Sequence, residues 1–189
     1  MLHNPAVIVI TGAMAAGKST IADELARRLT RAAHVRGDAF RKMIVSGRAD
    51  MSPPLSEAAK AQLRLRQQLA AVVATAYASA GVTAVVQDLY LGSDLAGFLS
   101  LVRHRPVYLV VLAPRPAVLE EREHARGKSG YGAWSAHEFD RYLREATPRV
   151  GLWLDSSELT AVDTVDTILD KIDLALVEPA TITASPASR

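Results

Sequence analysis

The chain has 189 residues, 49% hydrophobic and 22% charged, enough to bury one core with layers on both faces of a sheet. A formal net charge of +2 gives no basis for non-specific nucleic-acid binding, and 5% aromatic residues disfavour a base-stacking surface. The absence of cysteine excludes disulfide frameworks, thiolate metal sites and thiol catalysis.

Ala6 to Thr11 is a continuous apolar run rich in β-branched residues, the pattern of a parallel strand covered on both faces. It leads into Gly12-Ala13-Met14-Ala15-Ala16-Gly17-Lys18-Ser19, followed by Thr20, which matches the phosphate-binding loop G-x-x-x-x-G-K-[ST]. Small side chains let backbone N–H groups converge on an anion, and the helix that follows adds the positive end of its dipole. Lys18 is positioned to reach the β- and γ-phosphates of a nucleoside triphosphate, and the Ser19 hydroxyl to ligate Mg²⁺. Ile21, Leu25 and Leu29, with Ala22 and Ala26, predict the first helix.

Ala33 to Arg36 reads as a second strand, and Asp38 as the N-cap of a helix over Ala39 to Val45 that stops at Gly47. Ser56 caps a long helix from Glu57, with Leu65, Leu69, Val72, Ala76 and Ala80 as its apolar stripe, closed by Gly81. Val82 to Gln87 predicts a third strand ending at Asp88, Leu95 to Arg103 a helix, and Val107 to Ala113 a fourth strand. Pro114 and Pro116 frame the start of a helix carrying Arg115, Arg122 and Arg126, and a polar, glycine-rich segment at about 127–134 reads as a mobile lid. A helix over His137 to Glu145, a fifth strand over Val150 to Leu154 and a last helix over Val162 to Val177 follow. Residues 1–177 are expected to form one domain, and 178–189 a disordered tail.

Alternating strands and helices imply a parallel sheet in a three-layer α/β sandwich, with ligands at the carboxyl ends of the strands. Those ends carry the loop at Gly12 to Thr20, Asp38, Asp88, Arg115 and Asp155-Ser156. Phosphoryl transfer needs a phosphate cradle, a metal holder, cations for the transferring group and a group to orient the nucleophile. Asp88 fits the metal holder with Ser19, and Asp38 the general base for an attacking hydroxyl. Arg115, Arg122, Arg126 and Lys128 fit the cations that close over the phosphates. The acceptor is expected between the Phe40 to Met51 segment and the polar start of the long helix, near Arg36, Arg41, Arg48, Arg64 and Gln68, with Tyr90 close by. The histidines lack metal-ligand spacing. Leu69 to Val86 is uncharged but split by Gly81, and the N-terminal apolar run is too short for a signal-peptide core, so a cytoplasmic protein is expected.

The chain resembles the small P-loop kinases, and within them chloramphenicol phosphotransferase and related phosphotransferase-like proteins. The resemblance rests on Val9 to Ser19, Arg36-Gly37-Asp38, Gln87 to Gly92, Arg122 to Gly127 and Leu154 to Ser157. It implies a P-loop NTPase fold with strand order 2-3-1-4-5, ATP and Mg²⁺ as cofactors, and Asp38 as catalytic base for a small-molecule hydroxyl. The second strand end is also similar to the Thr-Gly-Asp-x-x-Arg element by which adenylate kinases hold an acceptor phosphate; Arg41 matches the arginine and Arg36 replaces the threonine. A nucleotide kinase acting on a phosphate acceptor, or a nucleotide-binding module without an acceptor, are the alternatives.

Overall fold

The computed structural model describes residues 2, 5–52, 54–125 and 135–178. In chain order the elements are β1 (Val7–Gly12), α1 (Lys18–Arg28), β2 (Ala32–Arg36), α2 (Gly37–Lys42), α3 (Glu57–Ser79), β3 (Thr83–Gln87), α4 (Ser93–Leu101), β4 (Val107–Leu112), α5 (Pro116–Ala125), α6 (Ala136–Ala146), β5 (Leu152–Leu154) and α7 (Ala161–Asp170). The five strands form one parallel sheet in the order β2-β3-β1-β4-β5, as the resemblance implied. β1, β3 and β4 are buried at every position, which explains their largely apolar sequences. Helices cover both faces: α1 packs with α7, and α3 with α4 and α2.

The register sets where the strands end. Arg36 of β2 pairs with Gln87 of β3, and Gln87 pairs with Ile10 of β1. The residues that follow, Gly37-Asp38, Asp88 and Thr11-Gly12, therefore leave the sheet side by side at one edge. With strands about 4.8 Å apart, the β2 end lies roughly 10 Å from the β1 end.

α4 lies two residues earlier than expected and β5 begins two residues later, and three further elements differ from the sequence-based expectation. The α3 stripe is wrong: Leu65, Leu69 and Val72 are 45%, 37% and 65% exposed, and the buried face is Ala59, Gln67, Ala70, Ala71, Ala74 and Ala78. Alanines let the helix backbone approach the sheet closely, so the inward face is the one with the smallest side chains. Ala74→Leu should then cost about 1–3 kcal/mol in urea unfolding, whereas Val72→Ser should stay within about 0.5 kcal/mol. α2 begins two residues before the expected start and ends at Lys42; its N-cap is Arg36, so Asp38 lies in the first turn instead of capping it. The last helix stops at Asp170, and a 3-10 turn over Ile172–Ala175 brings the chain back to β4, where Leu176 bridges Tyr108 and the Val177 N–H donates to Val107 O at 2.9 Å. The Ser56 cap holds, its hydroxyl accepting from the Ala59 N–H at 3.1 Å. The lid at 127–134 and all of the expected tail except Glu178 lie outside the described residues.

Candidate active site

The loop from Gly12 to Gly17 winds through three positive backbone angles, φ 142° at Gly12, 61° at Ala15 and 92° at Gly17. Gly12 is required on a second count, because a side chain there would run into the Leu112 carbonyl of the neighbouring strand. Gly17 caps α1 without a side-chain bond, and the first turn of α1 holds no acidic residue. The helix start therefore presents backbone N–H groups to an anion with no carboxylate in competition. Lys18 Nζ donates to the carbonyls of Gly12 at 2.9 Å and Ala13 at 2.8 Å, which holds the amine across the loop. Ser19 and Thr20 are exposed beside it.

Thr11 ties this loop to the end of β3. Its hydroxyl donates to Tyr90 O at 2.9 Å and accepts from the Tyr90 N–H at 2.9 Å. Between them sits Asp88, 5% exposed. Both its oxygens are engaged: Arg66 of α3 donates Nε to Oδ2 at 2.6 Å and Nη2 to Oδ1, and the Leu89 N–H donates to Oδ1 at 2.7 Å. Gly37 is what lets β2 approach this carboxylate, since a methyl group at 37 would overlap the Asp88 side chain. Gly37→Ala should therefore push α2 away from Asp88 and destabilise the fold by about 1–3 kcal/mol, measurable as a fall in urea midpoint at unchanged slope.

Asp38 stands one residue further on, partly exposed. Lys42 Nζ bonds its Oδ2 at 2.7 Å through the i to i+4 spacing of α2, while Oδ1 is buried without a hydrogen bond and lies 3.6 Å from Arg36 Nε. Partial burial pushes the carboxyl upward, but the Lys42 hydrogen bond and the charges of Lys42, Arg36 and Arg66 outweigh it. The result is a carboxyl below the usual aspartate range, with Oδ1 ion-paired to Arg36 and accepting no hydrogen bond among the described residues.

On the other side of the loop, a cavity of about 180 Å³ lies between the start of α1 and the segment entering α7. Ala16, Gly17, Thr20 and Ile21 line one wall, and Arg122, Ser156, Leu159, Ala161 and Thr164 the other. Arg122 Nη2 donates to Ser156 O at 3.1 Å, fixing α5 against the segment after β5.

A phosphate loop on the central strand, with acids after the ends of β3 and β2 on one side of it, fits the P-loop kinase arrangement, and residues 7–148 match the family model AAA_33, an AAA domain. The chain belongs to the AAA_33 family.

Solved structures similar to this AAA_33 chain include a sugar kinase, a resistance protein and an APS kinase. A sugar kinase from Janibacter sp. HTCC2649 superposes with a TM-score of 0.63 at 20% identity, covering 95% of this chain and 98% of that one. The tunicamycin resistance protein of Deinococcus radiodurans gives 0.66 at 16% identity, covering 94% and 100%. The APS kinase of Mycobacterium tuberculosis, in complex with AMPPNP and APS, gives 0.64 at 20% identity, covering 91% and 99%. At these identities the likeness establishes the fold, that of the P-loop kinases. No curated protein sequence matches the chain significantly.

The AAA_33 fold brings some of the sequence-predicted residues together and separates others. Gly12 to Thr20, Asp38 and Asp88 share one edge of the sheet, as expected. Asp88 is committed to Arg66, so the arrangement differs from a carboxylate open to a metal. Tyr90, expected beside the acceptor, is fully buried and stacked on Phe98 with ring centroids 3.9 Å apart; it is a core residue. Arg64 and Gln68 are exposed, and at 100° per residue each sits about 160° around α3 from the inward-facing Arg66, so they do not share its cleft. Arg41 Nη2 donates to Ala49 O at 3.0 Å, bracing the loop after α2; Phe40 packs partly buried against the core, and Arg36 and Arg48 are exposed. Arg115 is paired with Glu158, and its N–H donates to Ser157 Oγ at 2.8 Å. The Ser157 hydroxyl and N–H both bond Asp155 Oδ1, chiefly through the hydroxyl lowering the Asp155 carboxyl below its usual range. Arg126 and Lys128 lie outside the described residues.

Arg66, Lys42 and Thr11 are the site residues that sequence reasoning missed. Arg66 was legible as part of a polar patch, but only the phase of α3, set by its alanines, shows that it points inward.

Proposed function

We propose that the protein is an ATP- and Mg²⁺-dependent kinase that moves the γ-phosphoryl group to a hydroxyl of a small molecule such as an antibiotic, nucleoside or sugar-like metabolite. The observation that supports this reading is Asp38, a partly exposed carboxylate just after the end of β2, two strands from the phosphate loop, with Oδ2 held by Lys42 and Oδ1 3.6 Å from Arg36 Nε. A phosphate acceptor is already anionic and needs no base, whereas an alcohol does. Sugar kinase and tunicamycin resistance folds among its structural neighbours support an acceptor of this class.

In this reading the N–H groups of Gly12 to Thr20 bind the β- and γ-phosphates, and Lys18 exchanges its loop carbonyls for phosphate oxygens. The acceptor O–H gives its proton to the Asp38 carboxylate as its oxygen bonds to the γ-phosphorus. The bond from that phosphorus to the bridging oxygen breaks, and ADP leaves with the electron pair. Arg122, Arg126, Arg115 and Lys128 are the candidate cations for charge on the transferring group, Arg115 only after leaving Glu158. Arg36, Arg41 and Arg48, beside Phe40, border the acceptor side.

Among the described residues no cluster of three acidic or histidine side chains is placed to hold a metal, and Asp88 is engaged by Arg66. The donor set is then the Ser19 hydroxyl, which suits a Mg²⁺ carried in by nucleotide and keeping phosphate and water ligands. When bound, that ion would neutralise charge on the β- and γ-phosphates. No helix among the described residues is long and apolar enough to cross a membrane.

The test is transfer from γ-labelled ATP across a library of alcohols, nucleosides and antibiotics. A labelled acceptor is expected; negligible label transfer and ADP release throughout would overturn the kinase reading in favour of a nucleotide-binding module.

A further inference from the structure

The outward face of α3 is apolar where a solvated helix is ordinarily charged. At 100° per residue, Ala58, Leu65, Leu69, Val72 and Ala76 fall on one stripe, opposite the buried alanines, and all five are exposed. From Gln67 to Ala80 the chain carries no charged residue at all. A single surface leucine needs no explanation, but a contiguous uncharged stripe running from Leu65 to Ala76 marks a contact surface.

α4 extends this face. The Arg103 N–H, just past its end, donates to Thr75 Oγ1 at 3.2 Å, and Asp94 in its first turn lies beside Gln67, so α4 runs along α3 in the same direction. Its exposed residues between those ends, Gly97 and Ser100, are small. The α4 side of the face therefore carries an acid near position 67 of α3 and a base near position 75. A two-fold axis crossing α3 between Ala70 and Ala71, perpendicular to the helix, exchanges those two ends. It sets Leu65 of each copy against Ala76 of the other, large against small, interleaves Leu69 with Val72, and brings Asp94 of each copy to Arg103 of the other. An isologous contact requires this kind of self-complementarity, in shape and in charge.

We infer that this face is the contact of a homodimer in which two chains pack α3 against α3 antiparallel, with α4 of each chain alongside. The size agrees. α3 has 23 residues and α4 has 9, roughly 34 Å and 14 Å of helix, and at about 10 Å width they cover a footprint of about 500 Å². The relief of the side chains raises the accessible area of such a footprint towards the ~800 Å² per partner of a standard interface. A contact at that lower bound, built on leucine and valine without a central aromatic anchor, fits a dissociation constant of about 5–50 µM. The inference stands independently of the reaction proposed for the phosphate loop.

The experiment is sedimentation velocity of the full chain from about 0.5 to 200 µM. The native chain should pass from 20.3 kDa to twice that mass across the series. At about 1 µM, where urea unfolding is read, it should be monomeric. Val72→Arg should stay monomeric throughout while melting like the native chain, because Val72 is solvent-exposed. Asp94→Arg and Arg103→Asp should each weaken the dimer by about 5- to 50-fold, and the two together should bring it back to within about threefold of native. A native chain that is still monomeric at about 200 µM would overturn the inference, whether the face is bare or meets a different protein. A dimer that Val72→Arg leaves intact would place the contact elsewhere and overturn it too. A charge-swapped double variant that melts like the native chain but dimerises no better than the single variants would overturn the antiparallel register.

Discussion

Asp38→Asn should lower kcat for phosphoryl transfer to an alcohol by about 100- to 10,000-fold while leaving nucleotide affinity within a few-fold of native. The amide keeps the shape and can still bond, but it cannot take the acceptor proton. Lys42 holds Oδ2 and Arg36 Nε lies 3.6 Å from Oδ1, so the native carboxylate is oriented before the acceptor arrives. Comparison of kcat with calorimetric ATP affinity checks the assignment, and a loss of less than about tenfold would favour an already anionic phosphate acceptor. The pH profile follows from the same contacts. A base acts deprotonated, and Lys42, Arg36 and Arg66 hold its carboxyl below the usual aspartate value. The rate should therefore persist above that depressed pKa and fall only as the pH drops through it. Lys42→Met should move this acid limb to higher pH, a shift that a purely structural lysine would not cause.

Arg66→Met should destabilise the fold by about 3–5 kcal/mol, because it leaves the Asp88 carboxylate buried with the Leu89 N–H as its remaining described hydrogen bond. For a chain of this size each kcal/mol moves Tm by about 2–4 °C, so a fall of roughly 6–20 °C is expected by differential scanning calorimetry. The pair is 16% and 6% exposed, so solvent screening offsets little of this. Combining Arg66→Met with Asp88→Asn removes the unpaired charge and should recover a large part of the loss. A single variant within about 1 kcal/mol of native would show that water replaces the guanidinium. The same substitution removes one of the three cations that lower the Asp38 carboxyl, so its acid limb should rise as well.

Local signals were reliable wherever a short stretch of chain carries its own constraint. The strand at Val7 to Gly12, the phosphate loop with Lys18 and Ser19, and the Ser56 cap depend on neighbours within a few residues. The position of Asp38 beside the phosphate loop became legible through the resemblance to small P-loop kinases, since strand order is set by contacts between residues far apart in sequence.

What failed were statements about which way a side chain points. Size was read as burial along α3, and the alanine face proved to be the inner one, so Arg64 and Gln68 were assigned to the cleft in place of Arg66. Tyr90, next to a strand end, was taken for a site residue, but its hydrogen-bonded link to Thr11 turns it into the core. For Asp88, read as a metal holder, the ion pair with Arg66 was not legible, because that partner lies 22 residues earlier on another element.

By itself, then, the sequence determined the donor side: a phosphate loop is built from consecutive residues, and its backbone geometry is encoded by glycines and small side chains in place. Tertiary structure alone decided what lies on either side of that loop. Helix phase, strand register and the closeness that Gly37 permits bring Arg66, Asp88 and Asp38 into one cluster, and Ser156 opposite Ile21. Such placements depend on packing summed over the whole core, which no local pattern records.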